Sequence, residues 1–293
     1  MATNKQKTII ITGANGFLGS ALVTYFRQKD WQVIALVRNA KNYKTAGVKY
    51  VEYELAKPFD TSVFAGADYL VHTAYVKYDH KHPDALNINL EGAKQLLKAS
   101  RQYRLKRNVF MSSMSAHAGA ESVYGKQKLA IEKLFKGADC TVIRSGLIMG
   151  NGGMVKQMTD FMKSKHAVPL IGGGKQPLQV VAVYDLVRVI KAILIENRYG
   201  TLTIATPEVY TYKAFYQALR KHLGIVVVFV PIPLGALLGI VKLTNVLHLP
   251  ISINEDNVLG LKNLRSAKTA ADLHTLHIEL DDLDKILSKS TLN

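Results

Sequence analysis

The sequence predicts an α/β protein built on a doubly wound parallel sheet, with a smaller α/β domain toward its C-terminal half. Three observations carry this. Short apolar runs alternate with segments of helical periodicity across the first half of the chain. A glycine cluster interrupts the chain between the first strand and the first helix. The chain has 293 residues, enough for one large domain and a smaller second one at roughly 150 residues per domain.

Thr8–Thr12, with Ile9, Ile10 and Ile11 in succession, reads as a buried parallel strand. Phe17–Lys29 then places Leu18, Leu22, Tyr25 and Phe26 on one helical face. Gln32–Val37 is a second strand, and Asp68–His72 a further one around uncharged Tyr69-Leu70-Val71. Pro83–Arg104 is a long amphipathic helix with Leu86, Leu90, Leu96 and Leu97 on its apolar side. A strand at Asn108–Met111, a helix at Val123–Phe135 and a strand at Thr141–Arg144 follow. Beyond Gly150 the pattern loosens. Loops at Asn151-Gly152-Gly153 and Ile171-Gly172-Gly173-Gly174 flank a helix of roughly 155–165. Val180–Val183 and Thr201–Ala205 read as strands, Asp185–Glu196 and Thr211–Leu223 as helices. Residues 1–150 are therefore assigned to a nucleotide-binding domain, with return segments near 175–205, and 151–293 mainly to a substrate-binding domain.

Residues 225–241 carry no charge. Two prolines interrupt them and they fall short of the ~20 residues of a spanning helix. They are read as a strand at 225–230 and a packed helix from about Leu234 to Leu247, with contact to a membrane surface as the lesser alternative.

Composition narrows the function. Apolar residues make up 48% and charged residues 20%, which is ordinary for a globular protein. Lys and Arg exceed Asp and Glu by 38 to 22, a net charge of +16 that attracts anions. No zinc spacing, helix-turn-helix or aromatic-basic RNA motif accompanies that charge, so nucleic acid is not the expected partner. The lone cysteine, Cys140, excludes an internal disulfide, and no signal segment precedes the first strand. A cytoplasmic location is expected.

The glycines of Thr12-Gly13-Ala14-Asn15-Gly16-Phe17-Leu18-Gly19 fall at i, i+3 and i+6 between a strand and a helix. That is the Rossmann-type arrangement: a tight turn, close approach of backbone to a diphosphate, and close packing of helix on strand. The helix N-terminus adds free N–H groups and a positive dipole end. Gly13, Asn15, Gly16, Phe17, Leu18 and Gly19 are thus assigned to a dinucleotide. At the end of the second strand, where an acidic residue would hold the free ribose of NAD, stands Arg38, with Lys41 and Lys44 nearby. A cation there suits the 2′-phosphate of NADP, so NADP is preferred over NAD.

With these features the chain resembles the extended short-chain dehydrogenase/reductase family, the NAD-dependent epimerase/dehydratase group, over about residues 8–195. Asp68-Tyr69-Leu70-Val71-His72-Thr73-Ala74 resembles the family's fourth-strand segment beside the cofactor, and Asn89-Leu90-Glu91-Gly92 its helix motif. Val109-Phe110-Met111-Ser112-Ser113 resembles the strand ending in the catalytic serine, and Tyr124-Gly125-Lys126-Gln127-Lys128 the YxxxK motif. Arg144-Ser145-Gly146-Leu147-Ile148-Met149-Gly150 resembles the strand and turn that close over the nicotinamide, and Val183-Tyr184-Asp185-Leu186 a segment before a later helix. The resemblance implies Tyr124 as acid/base, Lys128 as its pKa tuner and ribose anchor, and Ser113 as partner of the substrate oxygen. Glu54, Leu55, Thr73, Ala74, Ser145 and Leu147 would join the cofactor site. A cation one turn from the phenol is expected to lower its pKa. Metal is not expected: His72 reads as a core residue, and His80 and His82, near Asp79 and Asp84, show no metal spacing.

The sequence departs from the family pattern in places. Met114-Ser115 follows Ser113 where dehydratases carry Asp-Glu, which speaks against water loss. Only eleven positions separate Ser113 from Tyr124, short for a sugar-nucleotide epimerase. Tyr75 stands where a small residue is common, and Glu54 replaces the usual aspartate. The expected activity is hydride transfer at a carbinol or carbonyl carbon of a small substrate, nucleotide-sugars among the candidates, by an epimerase or an NADPH-dependent reductase. The alternative is a non-catalytic NADP(H)-binding regulator or assembly factor. A homodimer through the helices at 83–104 and 122–136 is expected from the resemblance.

Overall fold

The computed structural model describes residues 6–79, 81–233, Gly235 and 255–290. The helix expected from Leu234 to Leu247 lies almost wholly outside the described residues, as does His80.

The first half supplies six strands of a seven-stranded sheet, whose seventh comes from residues 200–204. Its elements are β1 (Thr8–Thr12), α1 (Phe17–Gln28), β2 (Gln32–Val37), β3 (Val48–Glu52), β4 (Tyr69–His72), α2 (Ala85–Gln102), β5 (Arg107–Ser113), α3 (Val123–Glu132) and β6 (Cys140–Ser145). The remaining elements are β7 (Leu147–Met149), α4 (Gly153–Lys165), β8 (Ala167–Ile171), β9 (Pro177–Leu178), β10 (Val180–Ala182), α5 (Val183–Ile195), β11 (Gly200–Ile204), β12 (Tyr210–Thr211), α6 (Tyr212–Leu223) and β13 (Val228–Ile232). Three short helices follow: α7 (Glu255–Lys262), α8 (Ala270–Thr275) and α9 (Leu283–Lys289).

The strand order β11-β6-β5-β4-β1-β2-β3 is doubly wound. It reverses between β1 and β4, which pair in parallel from Ile9 opposite Tyr69 to Thr12 opposite His72. In such sheets the crevice at the carboxyl ends of the two strands flanking the reversal is where ligands bind. The isoleucines of β1 are fully buried, as expected of a strand covered on both faces.

Besides the two-residue β9 and β12, two longer strands lie where none was expected. β3 is half-exposed at the sheet edge, and its sequence Val-Lys-Tyr-Val-Glu mixes charge with apolar residues. β8, Ala-Val-Pro-Leu-Ile, contains Pro169 and pairs in parallel with β13, which contains Pro231. A strand in a two-stranded ribbon keeps one free edge, where a missing N–H costs nothing. The strand expected at 225–230 begins instead at Val228.

Two compact units divide the chain. The first holds residues 1–112, 127–143 and 186–202, and the second 113–126, 144–185 and 203–293. Within the first, one core gathers Ile10, Leu36, Phe64, Leu70 and Leu96, and another gathers Phe110, Ile131, Phe135 and Cys140. Within the second, Met162, Leu170, Val180, Phe215 and Ile286 share a core.

Candidate active site

In the first unit the glycine turn has the shape the spacing implies. Gly13 adopts φ +64°, and a Cβ there would meet Ala74 N at 2.8 Å and Thr73 Oγ1 at 2.9 Å. A Cβ on Gly19 would sit 2.1 Å from the Gly13 carbonyl oxygen. Both positions therefore demand glycine, one for backbone conformation and both for closeness. Helix α1 starts immediately after Gly16, with no capping side chain and no acidic residue in its first turn. Its first N–H groups and positive dipole end are available to an anion. A cradle that a Cβ would fill, opening on an uncapped helix, fits a dinucleotide diphosphate.

The turn is fastened to β4 by Thr12. Its hydroxyl accepts from the N–H groups of Thr73 and Ala74, each at 3.2 Å, and lies 2.8 Å from His72 Nδ1. With both lone pairs engaged, the hydroxyl donates to His72, so the imidazole is neutral with its proton on Nε2. Burial, and secondarily the Lys128 charge, hold the His72 pKa down to about 3. His72 is thus a structural clasp, as its place at the end of a buried strand suggested. The Thr73 hydroxyl completes the clasp by donating to Thr12 O at 2.6 Å.

Around this clasp, Asn89 grips the backbone of Val76 through both amide atoms, at 2.8 and 2.9 Å. Gly92 lets α2 lie against Leu55, whose Cδ2 would be 2.3 Å from a Cβ there. Leu55 is buried in the core, whereas Glu54 is exposed and paired with Lys57 at 2.8 Å. Asn15 is exposed, its amide donating to the Tyr43 hydroxyl at 3.2 Å. Phe17 is half-buried, and the Leu18 side chain belongs to the core. Arg38 is exposed just past the end of β2, as are Lys41 and Lys44.

Lys128 lies in the same unit. Its ammonium donates to Met111 O at 2.8 Å and stands 4.4 Å from the centre of the Tyr75 ring. Tyr75 is fixed in turn by its hydroxyl, which donates to Gln127 at 2.5 Å. Burial lowers the Lys128 pKa to about 7, against the opposing pull of Glu132. The charged form is therefore disfavoured in the folded chain, while in the unfolded chain the amine stays protonated to near its ordinary 10.5. Between these values the unfolded state binds more protons, so stability increases with pH across that window. The wild type should gain on the order of 4 kcal/mol from about pH 7 to above 10 relative to Lys128→Met. Denaturant unfolding of both proteins at matched pH checks this, and parallel curves would contradict it.

Ser113 and Tyr124 lie in the second unit. Burial pushes the Tyr124 phenol above its usual 10, and a hydrogen bond with Ser113 works against that rise. This corrects the expectation of a phenol lowered by the neighbouring cation: desolvation dominates, and the Lys128 ammonium is itself held down by burial. Ser145 is buried, with its carbonyl accepting from Met114 N at 3.1 Å. Leu147 is half-buried and donates its N–H to Gln179 O at 2.9 Å. Helix α3 carries Tyr124 and Lys128 one turn apart.

The sequence offered no sign of what holds the start of α3. Ser122 Oγ accepts from Gly125 N at 3.1 Å, as a helix cap does. The Asp256 carboxylate, 132 positions away on α7, takes the N–H groups of Val123 and Tyr124. His117 Nε2 lies 3.1 Å from Asn263 O. His82 pairs with Asp79 at 2.9 Å.

Comparison with known proteins gives this arrangement a context. A model of the NAD dependent epimerase/dehydratase family matches residues 9–205. The chain is 30% identical over 158 residues to a ceramide reductase of Caulobacter vibrioides, covering 52% of this chain and 50% of that one. It is 22% identical over 299 residues to a mitochondrial NADH dehydrogenase [ubiquinone] 1 alpha subcomplex subunit 9 of Arabidopsis thaliana, covering 95% and 74%. The matches span 60% and 50% of the length of two of the curated relatives. Among solved structures, MoeE5 in complex with UDP-glucose and NAD superposes with a TM-score of 0.75 at 20% identity, covering 97% of each chain. At that identity the likeness is one of fold.

Proposed function

The chain belongs to the NAD dependent epimerase/dehydratase family, and on that premise we propose that it is an NADP(H)-dependent oxidoreductase acting at a carbonyl or carbinol carbon. The observation that carries this reading is the glycine cradle at the β1–α1 turn, which leaves room for a diphosphate and for nothing bulkier than hydrogen on Gly13 and Gly19. When bound, the nicotinamide supplies or takes up the hydride.

The chain's own residues do the rest. The α1 N-terminus binds the diphosphate, with Gly13, Asn15, Gly16, Phe17, Leu18 and Gly19 forming the turn. Thr73 and Ala74 hold the turn against β4. Leu55 sets the floor of the adenine side and Glu54 offers an acceptor there. Ser145 and Leu147 shape the strand and turn near the reacting ring. Tyr124 moves the proton on the substrate oxygen, Ser113 orients that oxygen and the phenol together, and Lys128 binds the cofactor ribose. A phenol above 10 is fully protonated at neutral pH, which suits donation to a carbonyl oxygen. This supports reduction over oxidation, and the eleven-position interval from Ser113 to Tyr124 supports a reductase over a sugar-nucleotide epimerase. A nucleotide-linked carbonyl compound remains the substrate class of first choice, in a cytoplasmic homodimer.

Arg38 sets the preference for the phosphorylated cofactor. Its guanidinium, with Lys41 and Lys44 on the following loop, would meet the 2′-phosphate. Titration calorimetry with NADPH, NADP, NADH and NAD tests the reading. The wild type should bind the phosphorylated pair at least tenfold more tightly, and Arg38→Asp should reverse the order. Absence of binding to all four would remove the redox assignment. Turnover with net loss of nicotinamide absorbance identifies a reductase, and turnover without it an epimerase.

A second reading is favoured by the likeness, at 22% identity over 95% of this chain, to the NADH dehydrogenase [ubiquinone] 1 alpha subcomplex subunit. In it the chain is a non-catalytic NADP(H)-binding regulator or assembly factor. A Tyr124→Phe protein that is indistinguishable from wild type in every turnover assay would select it.

A further inference from the structure

We propose that the outer face of β13 and the basic helix ends beside it form a docking surface for an anionic lipid bilayer. Val227, just before this strand, is part of the core of the second unit, and Phe229 on it packs against that core. The alternate residues Val226, Val228 and Val230 are 83%, 62% and 44% exposed. A half-buried strand normally turns polar residues outward. Single exposed apolar residues are ordinary, but three in register along one strand face make a stripe. It opens the uncharged stretch 225–241, so no charge in its own segment dilutes it.

Cations frame the same end of the strand. Lys163 and Lys165 occupy the last turn of α4, and the His166 ring that follows lies 3.3 Å from Val226 O. Arg220, Lys221 and His222 occupy the last turn of α6. The Arg220 guanidinium stands 5.4 Å from the Phe229 ring centre. One acid, Asp284, borders a hollow with Arg220, Lys221 and Ile225. Apolar side chains flanked by cations match the boundary of a bilayer: valines enter the headgroup region and ammonium groups meet phosphates.

A second copy of this chain fits the surface poorly. Strand-to-strand pairing would use the edge of β13 that pairs with no strand among the described residues, and Pro231 lacks an N–H. The cations of two copies would also face each other. The proposal stands independently of the redox reading.

Co-sedimentation of the full chain with vesicles tests it, at about 0.1 M salt. One set contains phosphatidylcholine alone and the other an equal part of phosphatidylglycerol. Wild type should partition at least tenfold more strongly to the anionic vesicles. Val226→Asp/Val228→Asp should lower that partition at least tenfold, and Lys165→Glu/Lys221→Glu should remove its salt dependence. Far-UV circular dichroism and denaturant unfolding report whether each variant is folded, and Val228→Ser provides a milder probe of the same face. Equal partition to both vesicle types, no sedimentation, or undiminished binding by the folded aspartate variant would overturn the proposal. So would a dimer seen by ultracentrifugation that the aspartates dissolve in the absence of any vesicle binding.

Discussion

Gly19→Ala will weaken NADP(H) binding at least a hundredfold while leaving the sheet folded. The added methyl would lie 2.1 Å from the Gly13 carbonyl oxygen, 2.8 Å from its carbon and 2.9 Å from the Ala14 Cα. All three are backbone atoms of the turn, so no side chain can swing aside. Helix α1 must move away from β1 by more than an ångström, and its N-terminus moves with it. Charge-assisted bonds to a diphosphate lose most of their strength over such a distance. A hundredfold loss corresponds to about 2.7 kcal/mol, within reach of two such bonds. The overpacked helix–strand contact should cost a further 1–3 kcal/mol or so of stability. Gly66→Ala is the matched control. Gly66 also has a positive φ, +77°, but a Cβ there meets nothing within 4 Å. It should lose about 1 kcal/mol of stability through backbone strain and bind cofactor normally. If Gly19→Ala binds NADP(H) as wild type does, the diphosphate does not lie on this turn.

How much of this was legible in the sequence depends on how local its cause is. The run Ile9-Ile10-Ile11 and the glycines after it declare their structure through neighbouring residues, and both appear where the spacing put them. The doubly wound sheet follows from repeating such local units. β3 was hidden because an edge strand needs to bury only part of each residue, so its pattern of Val48, Lys49, Tyr50 and Glu52 carries little periodicity. β8 was hidden by Pro169, which reads as a breaker until a partner strand shows that its N–H position needs no acceptor. In the site, Tyr124 and Lys128 are visible because one helical turn separates them. Asp256 is not, because nothing around residue 256 reveals that its carboxylate will receive the N–H groups of Val123 and Tyr124. The protonation of the site was also out of reach. Spacing places a cation near a phenol, but burial decides both pKa values, and burial is a property of the fold.

Burial of the phenol leads to the second large effect. Tyr124→Phe will lower the turnover rate by roughly 10²–10⁴-fold with NADP(H) affinity unchanged within about twofold. The substitution keeps the ring and removes one hydroxyl, the only group on this side chain able to carry a proton. Ser113 loses that hydrogen-bond partner. Stability should change by no more than about 1 kcal/mol, because removal of a desolvated hydroxyl offsets the lost bond. A structural role would instead lower stability and cofactor affinity together, so the split between rate and affinity separates the two. The pH dependence of the wild type gives an independent reading. With the Tyr124 pKa above 10, the phenol stays almost wholly protonated from pH 7 to 9, so carbonyl reduction should be flat there. Alcohol oxidation needs the phenolate, and its rate should climb about tenfold per pH unit through the same range. Reduction that falls off below pH 9, or oxidation that is level there, would mean that cofactor and substrate bring the phenol well below the value that burial imposes. In that event the ammonium one turn along α3, not desolvation, would govern the proton.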